Sequence, residues 1–156
     1  MPIAHAIECL SVACPYFMPT ERLVSDLWPH RARLPLGDGF RGVCTAPGHE
    51  GAALADEELR DFCNLGYARR CPRLPQGRTA DAVRFIVTQV REDLVALYFT
   101  CERDHAPRDH GPLAYDRAQQ RWINPHPDAR IQRMAECYVQ SYFSRRQGGF
   151  STSATT

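Results

Sequence analysis

Lysine is absent: all 19 basic residues are arginine, and against 18 acidic residues they leave a formal net charge of +1. So balanced a chain has no long-range field to gather nucleic acid or an anionic membrane surface. No apolar run approaches the roughly 18 residues expected of a membrane-crossing helix. The N-terminal stretch MPIAHAIECLSVACPYFMP lacks a basic segment and is broken by Pro15 and Pro19, so it does not read as a secretory signal. Together these absences predict a cytoplasmic protein without a membrane or nucleic-acid partner. Two spacings are missing as well: there is no Cys-x2-Cys, the usual zinc knuckle, and no compact bacterial ferredoxin run.

What the chain does have is seven cysteines in 156 residues. An odd number in a reducing compartment is a poor disulfide framework, which turns attention to metal binding or catalysis. The hydrophobic content of 44% and charged content of 24% are those of a globular protein. One domain of this length buries roughly 68–70% of its unfolded surface. The reading is a single domain over 1–146, with 147–156 (QGGFSTSATT) as a disordered tail.

Composition shifts near residue 80. Residues 1–80 hold five of the seven cysteines, eight of the twelve prolines and seven of the ten glycines. Such a segment cannot build long helices or central strands and needs another source of order. TERLVSDLW reads as a short helix capped by Thr20, and 31–51 as a loop with Cys44 in its middle. Gly37-Asp-Gly-Phe-Arg-Gly42 matches the dinucleotide fingerprint in letters only. Pro35 interrupts the strand that should precede it and VCTAPGHEG cannot open the helix that should follow, so it reads as turns. In LADEELRDFCNLGYARRCPRLP, Asp56 is the expected N-cap. Leu59, Phe62 and Cys63 share one face, Gly66 is the expected stop, and Cys71 follows in a loop.

From Ala82 the apolar period becomes two. AVRFIVTQV and LVALYFTCER read as a hairpin turning at Arg91-Glu92-Asp93, DHAPRDHG as an exposed loop, and PLAYD with QRWI as a second hairpin. Asp128 is placed to cap a last helix over 129–146, where Ile131, Met134, Ala135, Tyr138 and Tyr142 form a stripe. The expected fold class is α+β: a cysteine-rich, loop-rich layer held by a metal centre, then an antiparallel sheet of three or four strands covered by the C-terminal helix.

Iron–sulfur clusters are held by thiolates that tolerate wide separation, in apolar pockets where backbone amides reach the sulfurs. Cys14 and Cys71 each precede a proline, which directs the chain away from a centre. The favoured ligand set is Cys14, Cys44, Cys63 and Cys71, with Cys9 the rival most able to replace Cys44. Cys101 and Cys137 read as core. The expected cofactor is an iron–sulfur cluster of the 4Fe-4S type, in electron transfer or redox sensing with a redox partner protein. Zinc is the alternative, in a structural or interaction module that could include His49. A thiol enzyme using Cys44 near His49 and Glu50 is the third reading. Asp104, His105, Asp109 and His110 form a weaker cluster that reads first as a solvated turn. Tyr67, Arg69 and Arg70 lie between two ligands, as sulfur donors, a partner-docking patch or an ordinary basic turn.

Overall fold

A computed structural model describes residues 13–23, 34–64 and 71–154, with side chains to residue 146. Two antiparallel sheets and a C-terminal helix form a mixed α+β architecture. The smaller sheet pairs β1 (Phe17–Arg22) with β2 (Phe40–Cys44). A short helix α1 (Asp56–Glu58) runs directly into a π-helical turn over Leu59–Cys63. The larger sheet is a meander of β3 (Ala82–Arg91), β4 (Leu94–Arg103), β5 (Ala106–Asp116) and β6 (Arg121–Trp122). Helix α2 spans Ala129–Ala154, its backbone continuing through the residues expected to fray.

The period-two stretch from Ala82 folds as its pattern dictates. Val83 and Phe85 face inward while Arg84 and Ile86 face out, and Glu92 with φ 55° takes the turn. DHAPRDHG is the correction in this half: it is no loop but the tight turn and first half of an eleven-residue strand. Asp104 and His105 both adopt positive φ, 52° and 65°, as a two-residue hairpin turn of the right twist requires. Pro107 is tolerated in this strand because the β4–β5 register slips between Cys101 and Glu102 and, among the described residues, that part of β5 has no further strand beside it. Buried Asp81 pairs with Arg78 and accepts the Asp104 amide at 2.8 Å, pinning this turn.

Two expectations for the first half are also corrected. Thr20 caps no helix; it lies in β1 and its hydroxyl donates to the Arg41 carbonyl at 3.1 Å. The remainder of that expected helix lies outside the described residues. Residues 40–44, expected to be loop, form β2, and Cys44 ends a strand rather than hanging in a loop. The reason is Gly42: a Cβ there would stand 2.2 Å from the Met18 carbonyl oxygen. Its missing side chain, which reads locally as a breaker, is what lets β1 and β2 approach.

Helix α2 packs against β1 as well as β3. Asp128 caps it as expected, its carboxylate accepting the Arg130 amide at 2.9 Å. Tyr138 meets Phe85 of β3 at 5.8 Å between ring centres, while the Arg133 guanidinium donates to the Pro19 and Thr20 carbonyls of β1. The helix therefore covers a seam between the two sheets. Met134, Ala135 and Cys137 are fully buried in that seam with Phe17, Val83 and Leu97. Ala13 ties the layers together by exchanging both backbone hydrogen bonds with Val83, each 2.7 Å.

Candidate metal centre

Four separate segments bring Cys14, Cys44, Cys63 and Cys71 to the wall of one cavity. Cys14 follows directly on the Ala13–Val83 bridge, and Pro15 then turns the chain away, with the Phe17 amide closing back on the Cys14 carbonyl at 3.2 Å. Cys44 ends β2 opposite Phe17. Cys63 ends the π turn, where the Asn64 amide reaches the carbonyl of Leu59, five residues back, at 2.8 Å. That wider turn leaves Cys63 buried on the inner face with Leu59, the face expected from the sequence. Cys71 enters from the far side, half-buried, in a turn closed by the Leu74 amide at 3.2 Å.

The segments are also tied to one another. The Cys14 amide donates to the Cys63 carbonyl at 3.2 Å. The Thr45 amide and hydroxyl both donate to the Tyr16 carbonyl, at 2.8 and 2.6 Å, so the residues after Cys14 and after Cys44 are stitched together. Buried Asn64 joins the Cys63 turn to β2. Its carboxamide donates to the Phe40 and Leu59 carbonyls at 2.8 and 3.0 Å and accepts the Phe40 amide at 2.9 Å. Sequence reasoning missed Asn64, because an asparagine after a helix signals only a cap and not a tie to a strand 24 residues away.

Apolar side chains close the cavity: Leu54, Phe62 and Leu74, with Tyr16 and Phe17 on the side of β1. Glu58 and Arg73 complete the wall as an ion pair, 27% and 23% exposed. The Ala55 amide, and then Arg73, hold the Glu58 carboxyl below its ordinary range. Burial pushes the Cys14 thiol up to about 12 and drives Cys63 upward as well. Charge on Cys44 or Cys71 would push both thiols in the same direction. Three amides already point at sulfur: those of Tyr16 and Phe17 at Cys14, and that of Ala46 at Cys44 over 3.4 Å.

This donor set fits a soft metal centre. Among the described lining residues the one carboxylate is the ion-paired Glu58, and the amides two residues beyond Cys14 and Cys44 would stabilise thiolate charge. The cavity itself measures about 10 Å³, about the volume one water needs. Among the described residues no group of three or more His, Cys, Asp or Glu side chains is assembled to hold a metal ion.

No family model, curated protein or solved structure matches this chain. Its chemistry therefore has to be read from its own residues.

The other candidates separate. His49 and Glu50 are exposed and lie outside the cavity wall. Asp104 and His105 occupy the β4–β5 turn, and His110 hydrogen-bonds Tyr98 along the sheet, so these groups form no single site. Cys101 and Cys137 are buried core residues in β4 and α2, as expected, with thiols pushed up by burial to about 12 and about 11. Cys9, Tyr67, Arg69 and Arg70 lie outside the described residues. No described helix is long and apolar enough to cross a membrane.

Proposed function

We propose that Cys14, Cys44, Cys63 and Cys71 bind an iron–sulfur cluster of the 4Fe-4S type and that the protein carries electrons or senses redox state. The observation that carries this reading is the convergence of four cysteines from distant points in the chain on one apolar cavity. Complete thiolate ligation leaves no iron open to substrate, which favours electron transfer or sensing over catalysis at the cluster. Amide donors at two of the sulfurs, together with burial, are among the features through which a protein sets a cluster potential. A redox partner protein follows from the same reading.

A single zinc held by the same four cysteines is the second reading, favoured by the size of the cavity. About 10 Å³ suits one ion, whereas a cluster requires the walls to part. Of the four cysteines Cys71 alone is half-buried rather than buried, so its turn is the part we propose would yield. Purification without oxygen, followed by absorption spectroscopy and assay of iron, acid-labile sulfide and zinc, separates the two. Brown protein with matching iron and sulfide supports the cluster. Colourless protein with one zinc establishes the structural reading, and colourless metal-free protein overturns both.

A further inference from the structure

Tyr16 has two sides. It lines the cysteine cavity, and it also lines a separate cleft of about 360 Å³ between the β4–β5 hairpin and the start of α2. The cleft has the volume of a small-molecule site. Three arginines enter it: Arg103 from β4, Arg108 from β5 and Arg130 from α2.

Their situations differ. Arg130 grips Asp128 through two hydrogen bonds of 3.1 and 2.9 Å, lies 4.9 Å from the centre of the Tyr16 ring and reaches the Thr45 hydroxyl at 3.4 Å. Asp128 is thereby neutralised. Arg103 and Arg108 have no carboxylate partner among the described residues. Against them stands only Asp109, so the cleft keeps an excess positive charge. His126 adds a donor: its Nδ1 accepts the Asp128 amide at 2.9 Å, which leaves Nε2 to carry the proton of the neutral ring. Cys101 also lines the cleft, but it is buried.

We propose that this cleft binds a small anion bearing carboxylate or phosphate groups, held by Arg103 and Arg108 and seated against the Arg130–Tyr16 stack. Guanidinium forks match the two oxygens of such groups. Asp109 selects, among anions, those that also carry a hydroxyl or amino group to donate to it. The site itself stands on the cleft alone. Its role as a ligand input to the centre, through Tyr16 and the Thr45 bridge between the two cysteine turns, rests on the cluster reading.

The test is calorimetric titration of the full-length protein, purified without oxygen, with inorganic phosphate, succinate and malate at matched ionic strength. One-to-one saturable binding is expected for at least one probe, with malate tighter than succinate if Asp109 takes its hydroxyl. Binding should weaken at least tenfold in R103Q/R108Q, both positions being exposed and away from the cysteine cavity. Phosphate binding alone would mark the ligand as a phosphate compound, and malate binding alone as a hydroxy acid. Absence of saturable binding by all three, or equal binding by the variant, overturns the site. Because metal content and absorption are read on the same samples, a metal-free protein that binds the anion overturns the cluster only. A loaded protein that binds none overturns the cleft only.

Discussion

Asn64 treats Phe40 as a neighbouring strand would, accepting its amide at 2.9 Å and donating to its carbonyl at 2.8 Å. The side chain is 1% exposed, so neither group of Phe40 has water to fall back on. One carboxamide thus fixes the start of β2, whose other end is Cys44, to the residue after Cys63.

Replacing Asn64 by Leu keeps the branching of the side chain and removes both bonds to Phe40 and the one to Leu59. The cost is expected to be about 2–3 kcal/mol, the penalty for buried backbone groups left unpaired, read as a lowered urea midpoint. Metal content should fall with it, since Cys44 and Cys63 lose their common anchor. Unchanged stability would show that Phe40 finds other partners.

Gly42→Ala tests the closeness of β1 and β2. The new methyl meets a backbone carbonyl at 2.2 Å and the Phe17 ring at 2.7 Å, and the first of these cannot rotate away. The strands must separate, at an expected cost of at least about 2 kcal/mol. Gly48→Ala is the control: no atom lies within 4 Å of its added carbon, so only its positive φ of 83° is strained.

Cys71→Ser should abolish the visible absorption of anaerobically purified protein, while Cys137→Ser should keep it. The second change buries a hydroxyl and costs about 1–3 kcal/mol without touching the cavity. Colour retained in the first variant would remove Cys71 from the ligand set.

The pH dependence of the metal-free protein follows from the thiols. Burial raises Cys14 from 9.0 to about 12, Cys101 to about 12 and Cys137 to about 11. A thiol whose folded value is raised lends its full stability below the unfolded value and loses it as pH climbs toward the folded one. Stability of the metal-free form should therefore decline above pH 9, by about 1 kcal/mol per pH unit for each such thiol. The loaded form should lack the Cys14 share, because its thiolate is already formed. It should instead shed metal on acidification, as protons compete for the sulfurs. Chemical denaturation at a series of pH values, with and without metal, reads both.

Periodicity exposed the parts of the fold in which side chains report their own environment. The alternation through Val83 and Phe85 and the stripe through Ile131 and Met134 are buried where the pattern puts them. The four cysteines were grouped because thiols in a proline- and glycine-rich half have few other uses, and all four line one cavity. Hidden from the sequence were features that depend on what lies opposite. Gly42 looks like a turn until the Met18 carbonyl is seen beside it. DHAPRDHG reads as an exposed loop until the register slip beside Pro107 is known. Arg130 and Arg73 are ordinary surface arginines by letter, and only the fold sets one over Tyr16 and the other against Glu58 at the cavity.

The pair of hydrogen bonds between Ala13 and Val83 makes the residue before Cys14 a stitch in the larger sheet. Tension at one layer is therefore felt in the other: were Cys14 a metal ligand, its release would free the chain that hems the leading end of β3. Amide exchange at Val83 would then gauge metal occupancy through the backbone, slowing when a metal is bound and quickening when it is stripped.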